Sequence, residues 1–180
     1  HQAVNIRNRS YSIGALVDIP GPGAAGVLFA HGSWFGGHAL YVKDNRLHYV
    51  YNFVGMFEQQ VAATEDLPAG EDLILSASFD KDGEDPPGVA TGVLSLYHGD
   101  RKVGEGRIKT QPGYFELAGE GLCVGRDSGA AVTDDYPGEL PYRFTGGTIK
   151  QVAIDVSGQP YLDLERQAEA VDHRCRVGIE

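Results

Sequence analysis

The chain has 180 residues, 42% of them hydrophobic, and a formal net charge of −10. That length fits one domain with a core of its own, and the acidic balance excludes the clustered Lys and Arg that phosphate backbones need, so no nucleic acid partner is expected. No apolar run approaches the roughly 18–20 residues that cross a bilayer, so no membrane span is expected either.

Period-two alternation dominates from the start. His1-Gln2-Ala3-Val4-Asn5 lacks a charged-then-apolar leader pattern, which predicts a soluble protein, cytoplasmic or exported with its leader absent from this chain. Tyr11, Ile13, Ala15 and Val17 fall on one face of a first strand, and Pro20-Gly21-Pro22-Gly23 ends it. Gly26 to Ala30 is a short, wholly apolar strand. Ala39 to Val42 follows, then an Asp44-Asn45 hairpin turn. Leu47, Tyr49, Tyr51 and Phe53 alternate on the return strand, and Met56 to Ala62 makes another. Leu73, Leu75, Ala77 and Phe79 alternate in the next, before a long acidic loop from Asp80 to Gly88. Val89 to Tyr97 and Lys102 to Lys109 form a hairpin around His98-Gly99-Asp100. Leu122 to Gly125 reads as short and buried, and Asp127 to Tyr142 as polar and irregular. Val152, Ile154 and Val156 close the series.

About ten strands at roughly 8–12-residue spacing predict an all-β, two-sheet antiparallel jelly-roll sandwich. At most one short helix is expected, from about Leu162 to Val171. Residues 1–172 form the single domain and 173–180 a C-terminal tail. Only Cys123 and Cys175 occur, too few for a disulfide framework.

Two stretches carry a family resemblance. Gly26-Val27-Leu28-Phe29-Ala30-His31-Gly32, Gly36-Gly37-His38-Ala39-Leu40-Tyr41-Val42-Lys43 and Arg46-Leu47-His48-Tyr49-Val50-Tyr51-Asn52 look like the paired central strands of concanavalin-A-like, laminin-G-like jelly rolls. Leu122-Cys123-Val124-Gly125-Arg126-Asp127-Ser128-Gly129, Val132-Thr133, Tyr136 and Tyr142 to Ile149 are similar to the C-terminal region of large bacterial arylsulfatases. The similarity runs from about Asn8 to Glu165. It implies an accessory domain that follows a catalytic domain, packing on that catalytic partner or binding a glycan. Sulfatases of that family need a Cys or Ser in a Cys-x-Pro-x-Arg context. Cys123 is followed by Val124, Gly125 and Arg126, and Cys175 by Arg176 and Val177, so no sulfatase catalysis is expected of this chain.

Several residues are candidates for a site. Trp34 and Phe35 lie in a Gly-flanked loop and either form an exposed platform for a sugar ring or plug the end of the sandwich. On the next strand either His48, Val50 and Asn52 face a ligand while Tyr49 and Tyr51 pack inside, or the reverse. The candidate glycan-binding set is therefore Trp34, Phe35, His48 and Asn52. A groove is expected on the concave sheet near Trp34, and a filled face there counts against every ligand reading.

Asp80, Asp82, Glu84 and Asp85 offer hard oxygen ligands around Gly83, enough for a Ca²⁺ site or simply a solvated turn. Asp127, Asp134 and Asp135 form a second acidic group. No cofactor is required. His31, His38 and His48 share one hairpin, but zinc would need three or four ligands in suitable geometry. Arg126-Asp127-Ser128-Gly129 echoes a serine-protease motif without its second Gly, and an Asx-type turn accounts for it. The rival to a binding module is a small endo-β-glucanase, which needs two carboxylates facing one cleft. The usual glucanase signature is absent, which leaves Glu58, Glu105, Glu116 and Glu120 as candidates.

Overall fold

The structure is a computed structural model that describes residues 5–112, 117 and 121–156. The expected helix and tail lie outside the described residues, as do the domain limits. Ten strands are present among the described residues, in two antiparallel five-stranded sheets. The fold is the jelly-roll sandwich that the alternation predicts.

One sheet contains β1 (Tyr11–Ile19), β6 (Gly70–Glu84), β7 (Ala90–His98), β8 (Arg101–Lys109) and β10 (Thr148–Val156), in the order β10-β1-β6-β7-β8. The other contains β2 (Gly26–Ser33), β3 (Gly36–Lys43), β4 (Arg46–Phe53), β5 (Phe57–Ala62) and β9 (Leu122–Val124), in the order β5-β4-β3-β2-β9. Successive side chains of a strand point to opposite faces, so alternation decides what meets between the sheets. Ile13, Val17, Leu75, Phe79 and Leu94 from the first sheet meet Leu28, Phe29, Leu40, Leu47 and Tyr49 from the second. Each large apolar side chain buried there contributes roughly 1.5–3 kcal/mol.

The wholly apolar run of β2, Gly26 to Ala30, has two causes. A register shift between Val27 and Phe29 in its pairing with β3 lets Leu28 and Phe29 both reach the main core. Val27 and Ala30 point outward, yet they too are buried, because the chain from 126 to 145 folds back over this sheet. Val132 and Tyr136 of that cover pack on Val27, Ala30, Ala39, Tyr41 and Val50 in a second apolar cluster.

The cover is fastened by polar contacts. Asp127 is buried, and its carboxylate accepts from the Val132 amide at 2.9 Å and the Tyr136 hydroxyl at 2.8 Å. The Asp127 amide donates to Pro141 O, and the Val27 amide to Tyr142 O.

Two sequence expectations are corrected. The acidic stretch is not a loop up to Glu84: β6 runs on through it, paired with β7 as far as Glu84 opposite Ala90. Alternation turns Asp80, Asp82 and Glu84 to solvent, where charge is cheap. Leu122 and Val124 are exposed rather than buried, because β9 is an edge strand paired only to β2.

Candidate functional site

Two turns at one end of the β5-β4-β3-β2-β9 sheet carry the exposed aromatic residues. The β2–β3 connection is a two-residue turn of Trp34 and Phe35. Gly32, at φ 93°, precedes it; a Cβ there would lie 2.2 Å from Gly36 O, so only glycine permits this close crossing. Ser33 Oγ accepts from the Phe35 amide at 3.2 Å. The β4–β5 turn, Val54-Gly55-Met56, lies alongside: a Cβ on Gly55 would sit 3.3 Å from the Phe35 ring. The Asn52 side-chain oxygen accepts from the Gly55 amide at 2.9 Å and holds that second turn.

Trp34 is 58% exposed, Phe35 56%, Met56 75% and Phe57 45%. The Trp34 and Phe35 rings meet edge to face, 5.4 Å between centroids. Phe57 stacks on Phe53 at 4.9 Å and 8°. Singly exposed apolar side chains are ordinary; a group of them on two neighbouring turns is the kind of feature that marks a contact surface. Trp34 is thus exposed rather than a plug. Met56 and Phe57 were missing from the sequence-derived set. Their signal is an apolar pair directly after the Val54-Gly55 turn, where polar residues are the rule.

His48 lies elsewhere. It is four residues from Asn52 along β4, about 13 Å at strand rise, and opposite Tyr41. Its ring stacks on Tyr41 at 5.2 Å. Tyr41 donates to Asp135 at 2.6 Å, and Lys43 pairs with the same carboxylate at 2.6 Å. Burial lowers the His48 pKa against the opposing pull of Asp135. Burial also raises the pKa of Asp135, but hydrogen bonds from Lys43 and Tyr41 outweigh it and hold the group ionised.

Asn52 is a correction. It does face outward with His48 and Val50, while Tyr49 and Tyr51 pack inside, but it is buried. Its amide nitrogen donates to Val132 O at 3.0 Å and its oxygen is used by Gly55. The cover that occupies it also fills the sheet face on which a groove was expected, which counts against both the glycan-binding and the glucanase readings in the form the sequence suggested, on the concave sheet, and leaves the exposed turn end as the place for a ligand.

The carboxylates separate in the same way. Glu58 is opposite Asn52, on the outer side of its sheet, and accepts from Thr133 Oγ1 at 2.8 Å. Glu105 is opposite Ser95, on the outer side of the other sheet, and pairs with Lys102 at 2.9 Å. The two are on opposite faces of the sandwich and cannot flank one cleft, which corrects their candidacy as a pair. Glu116 and Glu120 lie outside the described residues.

The acidic stretch is engaged with cations. Asp82 pairs with Arg107 through two hydrogen bonds at 2.8 and 2.9 Å, which lower its pKa. Glu84 accepts from Lys81 at 2.6 Å and from the Gly88 amide at 2.8 Å, and is held at about 2. Asp85 lies 3.8 Å from Lys109, and Asp80 is exposed. Among the described residues no group of three or more His, Cys, Asp or Glu is placed to hold a metal ion. His31 and His38 face the core with rings 5.9 Å apart, while His48 is on the other side of the sheet.

No family model matches the sequence, and no curated protein matches it. Among solved structures, the native heptameric SAP-like pentraxin from Limulus polyphemus is similar at 10% identity and a TM-score of 0.46, over 85% of this chain and 66% of that one. This chain thus spans just under two thirds of that pentraxin's length. The CBM40 of the Ruminococcus gnavus IT-sialidase, solved bound to α2,3 sialyllactose, is similar at 12% identity and a TM-score of 0.48, over 84% of this chain and 79% of that one. Among the described residues no helix is long and apolar enough to cross a membrane.

Proposed function

We propose that this chain is a noncatalytic sandwich module that binds a glycan at its turn end, with Trp34 and Phe35 as the stacking platform. The supporting observation is the exposed group of Trp34, Phe35, Met56 and Phe57 on two turns braced by Ser33, Asn52 and Gly32. A sugar ring offers an apolar C–H face and a rim of hydroxyls. An exposed indole gains dispersion and desolvation by covering that face. Because the turns are already fixed by hydrogen bonds, little ordering entropy opposes binding. The ordered resemblance between residues 8 and 165 supports a place after a catalytic domain of the arylsulfatase kind. In this reading Ca²⁺ is dispensable.

Trp34 is the sole tryptophan, so intrinsic fluorescence reports directly on the platform. Titration with neutral glucan, xylan and mannan oligomers is expected to shift that emission. Trp34→Ala is expected to weaken binding, measured by calorimetry, about tenfold, with an unchanged melting temperature because the side chain is exposed. Reducing-sugar release from the same polymers is expected to be absent. Equal binding by Trp34→Ala, no glycan bound at all, or turnover that Glu58→Gln abolishes would each overturn the proposal.

A further inference from the structure

Beyond the platform, a groove of about 460 Å³ opens where the two sheets part, between the edge strands β5 and β8. Phe57 and Gln59 line it from one sheet, and Thr91, Arg107 and Lys109 from the other, with Asp85 at the rim. Phe57 and Gln59 are opposite Phe53 and Tyr51, so their side chains turn toward the space between the sheets. The Gln59 amide spans that space: its nitrogen donates to Lys109 O at 2.8 Å and its oxygen accepts from the Lys109 amide at 2.7 Å. That pair of hydrogen bonds between side chain and strand fixes the width of the groove. Its volume falls within the roughly 300–1,000 Å³ of small-ligand sites.

The chemistry of the lining is specific. The Arg107 guanidinium is already matched by Asp82 in a two-bond pair. Lys109 Nζ is held only loosely, 3.5 Å from Asp85 O and 3.8 Å from its carboxylate. A donor and an acceptor thus stand side by side on the outer edge of a groove whose other wall carries Phe57, with each positive charge balanced by a negative one. Adjacent sugar hydroxyls fit this pair, one accepting from Lys109 and the other donating to Asp85. A polyanion does not fit: the groove carries no surplus positive charge, and the whole chain is at −10.

We infer that this groove is a second subsite, for a neutral pyranose residue, and that Met56 and Phe57 connect it to the Trp34–Phe35 platform. The inference rests on the glycan-binding reading above. It makes the ligand an oligosaccharide long enough to cover both places.

Calorimetry with neutral gluco-, xylo- and manno-oligosaccharides from disaccharide to hexasaccharide, and with oligogalacturonides as acidic probes, tests it. For the unaltered chain, affinity for one neutral series is expected to rise about tenfold from disaccharide to hexasaccharide, and oligogalacturonides are expected to bind more weakly. Lys109→Met and, independently, Asp85→Ala are expected to remove most of that rise and leave disaccharide binding unchanged. Lys109→Met retains the alkyl stem and the backbone contacts to Gln59, so a folding defect in Asp85→Ala does not decide the result. A length dependence retained in Lys109→Met, alongside loss of binding in Trp34→Ala, would overturn the groove and leave the platform standing. Tighter binding of the acidic series would overturn the neutral assignment. An unaltered chain that binds no saccharide would overturn both proposals.

Discussion

Asp127→Ala is expected to lower unfolding stability by roughly 2–4 kcal/mol, since two buried donors lose their acceptor at about 1–3 kcal/mol each with partial relaxation. The donors are the Val132 amide and the Tyr136 hydroxyl, both inside the cover over the second sheet. Neither regains a partner by moving to solvent unless the cover lifts, and lifting it exposes Val27, Ala30, Ala39, Tyr41 and Val50. Tyr136→Phe removes one donor together with its need, so about 1 kcal/mol is expected there. Urea midpoints separate the two variants. A cost for Asp127→Ala no greater than that for Tyr136→Phe would show that the carboxylate does not fasten the cover.

Acid is expected to destabilise the fold well before its carboxylates titrate. His38 is fully buried; Nδ1 meets the Tyr49 hydroxyl at 3.0 Å, that hydroxyl bonds Tyr11, and Nε2 has no partner. Burial, then repulsion from His31, holds its pKa well below the ordinary value. His31 is lowered by burial too. The folded state therefore keeps the imidazole neutral, while the unfolded chain takes up a proton near pH 6.5. Below that pH the unfolded state binds more protons, so stability is full above about 6.5 and is lost as pH falls toward the folded pKa. For His38 the slope reaches at most about 1.4 kcal/mol per pH unit. The Glu84 contribution is lost only toward its folded value of about 2, so the interval between about pH 6.5 and 5 belongs to the histidines. Denaturant melts across that interval are expected to slope downward, and His38→Gln, which still offers Tyr49 a partner, is expected to flatten them. A slope unchanged in His38→Gln would assign the acid response elsewhere.

The first strand shows what the sequence carried. Tyr11, Ile13, Ala15 and Val17 alternate because one face meets the opposite sheet, and that pattern needs no knowledge of the rest of the chain. Trp34 and Phe35 were picked out by their Gly-flanked loop, but whether they were exposed or plugged the sandwich was left open, and it is the two-residue turn, where a large ring has little to bury against, that exposes them. The facing of β4 was not legible, because both of its sides are apolar enough to be a core. What makes the outer side a core is Val132, 80 residues away from Asn52. The acidic run misled for a local reason. Six charged or glycine positions in a row, Asp80 to Asp85, look like a loop, yet from Asp80 to Glu84 alternate ones face water, and β7 supplies the backbone partners. Glu58 and Glu105 were equivalent in sequence. Only the pairing registers put them on opposite faces.

Asn52 has a consequence of its own. One amide grips the cover with its nitrogen and the Val54-Gly55-Met56 turn with its oxygen. The stiffness of that turn, which lies against Phe35, is therefore borrowed from a segment 80 residues further along the chain. Loosening that segment, by Asp127→Ala or by acid, is expected to free the Gly55 turn. On the proposed glycan-binding reading, affinity would then decline along the way to unfolding rather than at its end.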